Sequence, residues 1–99
     1  MKHIRLKVAQ RYLQRYADVC YAREEVHIEC IDTTGKTPKC TNALMLLKGR
    51  TARIARYTPT TKVYLKRRGS PIAEITVGLP EVTGFFEATT GEFTQEIPY

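Results

Sequence analysis

The chain has 99 residues, 42% hydrophobic and 26% charged, with sixteen Lys and Arg against ten Asp and Glu and a net charge of +6. That length holds one hydrophobic core and no more, and the composition is neither disordered nor low in complexity, so the expectation is a single domain over 1–99. Its longest apolar run, Ala43 to Leu47, is far shorter than the roughly 18 residues a membrane-spanning helix needs, so no membrane span is expected.

The first elements follow from hydrophobic spacing. His3 to Val8 alternates polar and apolar residues, which is a strand period. From Ala9 the period changes: Ala9, Tyr12, Leu13, Tyr16, Ala17 and Cys20 recur at helical spacing and predict an amphipathic helix over 9–23. Ile4 and Val8 also fit a helix that begins earlier, so the boundary within 2–8 stays open. Val26 to Cys30 alternates again and reads as a strand, ended by the turn formers of Asp32 to Pro38.

Beyond this point Gly49, Pro59, Gly69, Gly78 to Pro80 and Gly91 punctuate the chain at a steady interval, with Val, Ile, Thr, Tyr and Phe between them. This pattern predicts an antiparallel meander. Its clearest hairpins pair 62–66 with 72–77 and 85–88 with 92–97. The stretch 44–57 fits either a helix capped by Asn42 or two strands. Gly49 inside a helix would cost about 1 kcal/mol relative to Ala, which favours the strands. The expected fold is therefore α+β, with an N-terminal strand and helix packed on one face of a mostly antiparallel sheet.

Several chemistries come close to a motif without completing one. Thr33-Thr34-Gly35-Lys36-Thr37 follows a strand like the end of a phosphate-binding loop, but Cys30 stands where the first glycine of that motif belongs. A plain turn is the simpler reading. His27 and Cys30 could ligate a metal only from one face, and on a strand they point to opposite faces. No cysteine pair among Cys20, Cys30 and Cys40 has zinc-knuckle or redox spacing, so buried free thiols are favoured over a Cys30–Cys40 bridge. Ser70, the only serine, lies in a turn with no histidine near it in sequence, and Glu24-Glu25 reads as a solvated helix end. No catalytic residue, metal or cofactor is expected, and the protein is not expected to be an enzyme.

Charge is distributed unevenly. Residues 1–68 hold all sixteen basic side chains with five acids, whereas 69–99 hold five acids and no base. Lys7, Arg11 and Arg15 share one edge of the helix beside Tyr12 and Tyr16, and a second group runs through Arg50, Arg53, Arg56, Lys66, Arg67 and Arg68. Cations interleaved with aromatics suit nucleic acid, because the cations neutralise phosphates and the rings stack on unpaired bases. These nine residues are the candidate nucleic-acid contacts. Solvated faces and core tyrosines are the plainer alternative. A second reading docks the acidic part of one molecule on the basic part of another, as a homo-oligomer or with a protein partner.

Two further signals bear on setting. The stretch from Met1 to Lys7 carries a charge every second or third residue and lacks the apolar region of a secretory signal, so an intracellular or particle-borne protein is expected. Thirteen Thr accompany one Ser, and Asn plus Gln number only four, the amide depletion typical of heat-stable proteins. The stretches KHIRLKVAQRYLQRYADVCYAREEVHIECIDTTGK and LPEVTGFFEATTGEFTQEIPY resemble small proteins of the filamentous and rod-shaped viruses of hot-spring archaea, of the lipothrixvirus and rudivirus type. That resemblance implies an archaeal host cytoplasm or virion and tolerance of heat. It brings no catalytic residues with it.

Overall fold

The N-terminal segment divides between the two competing periods. A short strand β1 (His3–Arg5) leads directly into the helix α1 (Leu6–Cys20). The helix begins three residues before the expected Ala9 because Leu6, Ala9 and Leu13 then share one face, where Ala9 and Leu13 are fully buried and Leu6 packs beside them. The computed structural model describes residues 1–20, 26–79 and 81–96. The expected extension of the helix to 23, the Glu24-Glu25 pair and the expected end of the last strand at Ile97 lie outside the described residues.

The remaining strands are β2 (Val26–Asp32), β3 (Lys39–Cys40), β4 (Asn42–Leu47), β5 (Arg50–Tyr57), β6 (Thr61–Arg67), β7 (Ser70–Thr76), β8 (Gly84–Glu87) and β9 (Phe93–Thr94). The stretch 44–57 is thus two strands. Their turn is Lys48-Gly49, and β6 and β7 join through Arg68-Gly69; all four residues have positive φ, between 50° and 81°. Two successive left-handed residues match the right-handed twist of a tight hairpin, and the glycine supplies the second at no steric cost.

One sheet was expected, and the described strands form two. The first has the order β1-β7-β6-β2-β3 and the second β4-β5-β8-β9. All described pairings are antiparallel except β1 with β7, where Ile4 lies opposite Ile75. The result is a mixed α+β fold dominated by sheet. The reason for the division lies at the edge of β2. Its partner β3 reaches only Ile31 and Asp32, so the backbone groups of Ile28 and Cys30 face no strand. The Asn42 side chain takes that place: its Oδ1 accepts from the Cys30 N–H at 3.1 Å, and its Nδ2 donates to the Ile28 carbonyl at 2.9 Å. The Ile28 N–H donates to the Ala88 carbonyl at 2.7 Å, and the Ala88 N–H donates to the Arg53 carbonyl at 2.9 Å. An amide side chain and one residue after β8 therefore stitch the two sheets together.

A single core fills the space so enclosed. Ala9 and Leu13 from the helix meet Ile28, Cys30, Val63, Leu65, Ala73 and Ile75 from the first sheet, and Ala55, Tyr57 and Phe86 from the second. Phe86 is wholly buried, with its ring centroid 5.8 Å from that of Tyr57 and 5.0 Å from that of Phe93. The turn after β8 closes on the helix at Gly91 (φ 74°), where a Cβ would come within 2.9 Å of Gln10 and 3.2 Å of Leu13, and Gln10 Nε2 donates to the Gly91 carbonyl. A smaller cluster of Leu47, Ala52 and Ile54, with Met45 and Phe85, lies on the other face of the second sheet.

Replacing Asn42 by Ala removes both side-chain bonds to β2 and leaves an amide and a carbonyl without partners. The expected loss, measured by urea unfolding, is about 2–4 kcal/mol. A loss below about 0.5 kcal/mol, within the range of an ordinary surface change, would show that the seam does not depend on this side chain.

Candidate nucleic-acid interface

The helix presents Lys7, Arg11 and Arg15 on the side away from Ala9 and Leu13, and all three are exposed. Tyr12 and Tyr16 lie between this stripe and the core. Their rings are 4.8 Å apart, centroid to centroid, and both pack partly against the core cluster. The Arg67 guanidinium at the end of β6 sits over the Tyr16 ring, 5.0 Å from its centroid. That contact is a cation–π pair, and it fastens the β6–β7 turn, with exposed Arg68 at its tip, to the tyrosine edge of the helix. A hydrogen bond with Tyr16, followed by burial, holds the Tyr12 phenol above its ordinary pKa, with Arg67 opposing. Tyr12 is therefore uncharged at neutral pH.

The other four candidate residues lie elsewhere. Arg50 is engaged by Glu87 at 2.8 Å on the second sheet. Lys66, on the outer face of the first sheet, is ion-paired with Glu29. Arg53 lines a hollow with His27, Glu29, Cys40, Asn42 and Leu44. Arg56 borders a separate, threonine-lined hollow of about 430 Å³ with Asp32, Thr34, Thr41 and Thr58 to Thr61. Arg67 pairs with the first residue of β2, whereas Thr61 of the Arg56 hollow pairs with the last. At about 3.3 Å per residue the two ends are about 20 Å apart. The structure therefore sets Arg67 and Arg68 against the Tyr16 edge of the helix that carries Lys7, Arg11 and Arg15, and places Arg50, Arg53, Arg56 and Lys66 elsewhere.

The near-motifs resolve into ordinary structure. Thr34 donates to the Asp32 carboxylate through its N–H at 3.0 Å and its hydroxyl at 2.8 Å, so the segment resembling a phosphate loop opens as an Asx turn. These bonds hold the Asp32 carboxyl below its usual range. Cys30 is a free thiol in the core, and Cys40 is free and exposed beyond the outer-face residue Ile31, its register partner. Burial pushes both thiols up. His27 is on the outer face and Cys30 on the inner, as strand alternation requires. Among the described residues no three His, Cys, Asp or Glu side chains are grouped to hold a metal ion, and no helix is long and apolar enough to cross a membrane.

The cluster that sequence reasoning missed is Glu29 with Lys66 and Cys40. Alternation along β2 and β6 places Glu29 and Lys66 on outward faces, but the register that sets His27 opposite Lys66 and Glu29 opposite Tyr64 is long-range. Burial alone would raise the Glu29 carboxyl, yet hydrogen bonds from Lys66 and Cys40 outweigh it and hold the group below its ordinary value. A depressed folded-state pKa stabilises the fold above the unfolded value, about 4.3, and that contribution is lost as pH falls through the folded value. Against Glu29→Gln, the wild type should be more stable by about 1–2 kcal/mol at pH 7. The difference should shrink below about pH 4 in denaturant titrations; one that persisted undiminished at pH 2 would contradict the ion pair.

Comparison of this chain with protein-family models, with curated proteins and with solved structures finds no match.

Proposed function

We propose that the protein binds nucleic acid through one surface, formed by the outer stripe of α1 and the β6–β7 turn. The observation that carries this reading is the Arg67–Tyr16 contact, which makes two distant basic segments neighbours. In this reading α1 lies across the inner face of the first sheet and turns Lys7, Arg11 and Arg15 to solvent. Successive members of that stripe are about 6 Å apart along the helix axis, a spacing that lets them follow a phosphate backbone. One face of the Tyr16 ring is covered by Arg67, and Tyr12 packs against the same ring. Stacking on bases is therefore minor, and affinity comes from phosphates without regard to sequence. The protein is not an enzyme in this reading, and it works in the setting of a heat-tolerant archaeal virus, in host cytoplasm or virion.

Head-to-tail assembly through opposed charges draws less support. Two of the C-terminal acids are engaged within the chain, Glu87 by Arg50 and Glu74 by the imidazole of His3 at 3.6 Å.

Fluorescence anisotropy with labelled duplex and single-stranded DNA tests the proposal. Micromolar binding to duplex is expected, with no preference for single strands. Log K should fall against log salt with a slope of about −3 to −4.5, as three to five phosphate contacts require. Arg15→Ala and Arg68→Ala should each weaken binding and flatten that slope by about 1, while Arg50→Ala leaves both unchanged. Absence of binding at low salt, or equal loss from Arg50→Ala, would refute the surface.

A further inference from the structure

The two sheets have four edge strands, and three of them are very short: β1 has three residues, and β3 and β9 have two each. The fourth, β4, has six, Asn42–Leu47, and among the described residues no strand pairs with its outer side. Natural edge strands are guarded by charge, proline, bulges or shortness, and this one has none of these within its length. It is instead apolar from Ala43 to Leu47. Leu44 and Leu46 project from the same face and are 64% and 75% exposed, the latter the most exposed large apolar side chain among the described residues.

We infer that β4 pairs antiparallel with β4 of a second copy, extending the second sheet across a two-fold axis at Met45. This register matches every residue from 43 to 47. It sets Leu44 opposite the second copy's Leu46 and Leu46 opposite its Leu44, while Met45 meets its own equivalent. Each exposed leucine then has an exposed leucine as its cross-strand neighbour, the kind of pair that stabilises a sheet. Because a two-fold contact is self-complementary, the same short strand supplies both halves.

Charge is compatible with this arrangement. Lys48 of each copy falls opposite Asn42 of the other, beside the hollow lined by Glu29. The nearest like charges on one face are Lys48 of one copy and Arg53 of the other, because Arg53 lies beside Leu44 and so in the row of the first copy's Leu46. They are two strand spacings across and two residues along, about 12 Å, which exceeds the Debye length of about 8 Å at physiological ionic strength. A single six-residue edge buries less than the roughly 1,200 Å² at the lower limit of standard interfaces, so the dimer belongs to the weak, reversible class. Its dissociation is insensitive to salt, because the contact is apolar and made by backbone hydrogen bonds. This contact is independent of the proposed nucleic-acid surface, which involves α1 and the β6–β7 turn.

Sedimentation equilibrium of the full chain without nucleic acid, from low micromolar to millimolar concentration, tests the pairing. The expected result is a monomer–dimer equilibrium whose constant is the same in low and high salt. Leu46→Glu, at a solvent-exposed position, should keep the wild-type circular dichroism spectrum and weaken the dimer by ~10-fold or more, the loss expected on removing a buried leucine. A chain that stays monomeric at millimolar concentration overturns the inference. So does a dimer that withstands Leu46→Glu, or one that dissociates as salt is raised.

Discussion

The architecture depends on how the open edge of β2 is closed. A strand buried on one face must satisfy its backbone on both edges, because an unpaired amide or carbonyl out of water costs about as much as several good contacts contribute. β6 serves one edge along the whole length of β2, from Val26 to Asp32. The other edge is served by the carboxamide of Asn42, which presents an acceptor and a donor with the spacing of a peptide group, and by Ala88. Thr41 completes the row by donating its N–H to the Cys30 carbonyl at 2.9 Å. This closure lets the chain leave the first sheet at β3 and begin the second at β4 after a single residue.

The seam determines where the core can form. It sets the inner face of the first sheet against Ala55, Tyr57 and Phe86 of the second, so that three aromatic rings meet in edge-to-face and tilted contacts. β5 is apolar on both faces, with Ala55 and Tyr57 in the main core and Ala52 and Ile54 in the smaller cluster. The hairpin of β4 and β5 thereby extends past the main core, and it carries the exposed Leu44 and Leu46 with it.

Charge follows from the same geometry. The chain separates basic and acidic residues by position, but folding recombines part of them, Glu87 with Arg50, while Glu29 engages Lys66 within the basic part. The helix stripe is on the far side of α1 from the core. Arg67 lies over an aromatic ring, a contact that, unlike an ion pair, does not neutralise the cation. A surface charge of this kind attracts polyanions at long range, whereas the ion-paired residues do so far less.

Local spacing alone determined much of this protein. The helical period through Ala9, Leu13 and Tyr16, the strand alternation of β2 and the glycine-marked turns of the meander are all properties of neighbouring residues, and each was legible before any contact was known. So were the absence of a complete catalytic motif and the asymmetry of charge. The point where β1 yields to α1 was not legible, since both periods fit residues 4 to 8 and only packing against Ile75 and the core decides between them. Nor was the division into two sheets, or the sorting of nine basic residues into a group of five and four outliers. These depend on strand register and on which residue stands across the gap, such as Lys66 facing His27 or Asn42 facing Cys30. Such pairings join residues ten to forty positions apart. Periodicity reports which face of an element is apolar, but it has no information on what that face will meet.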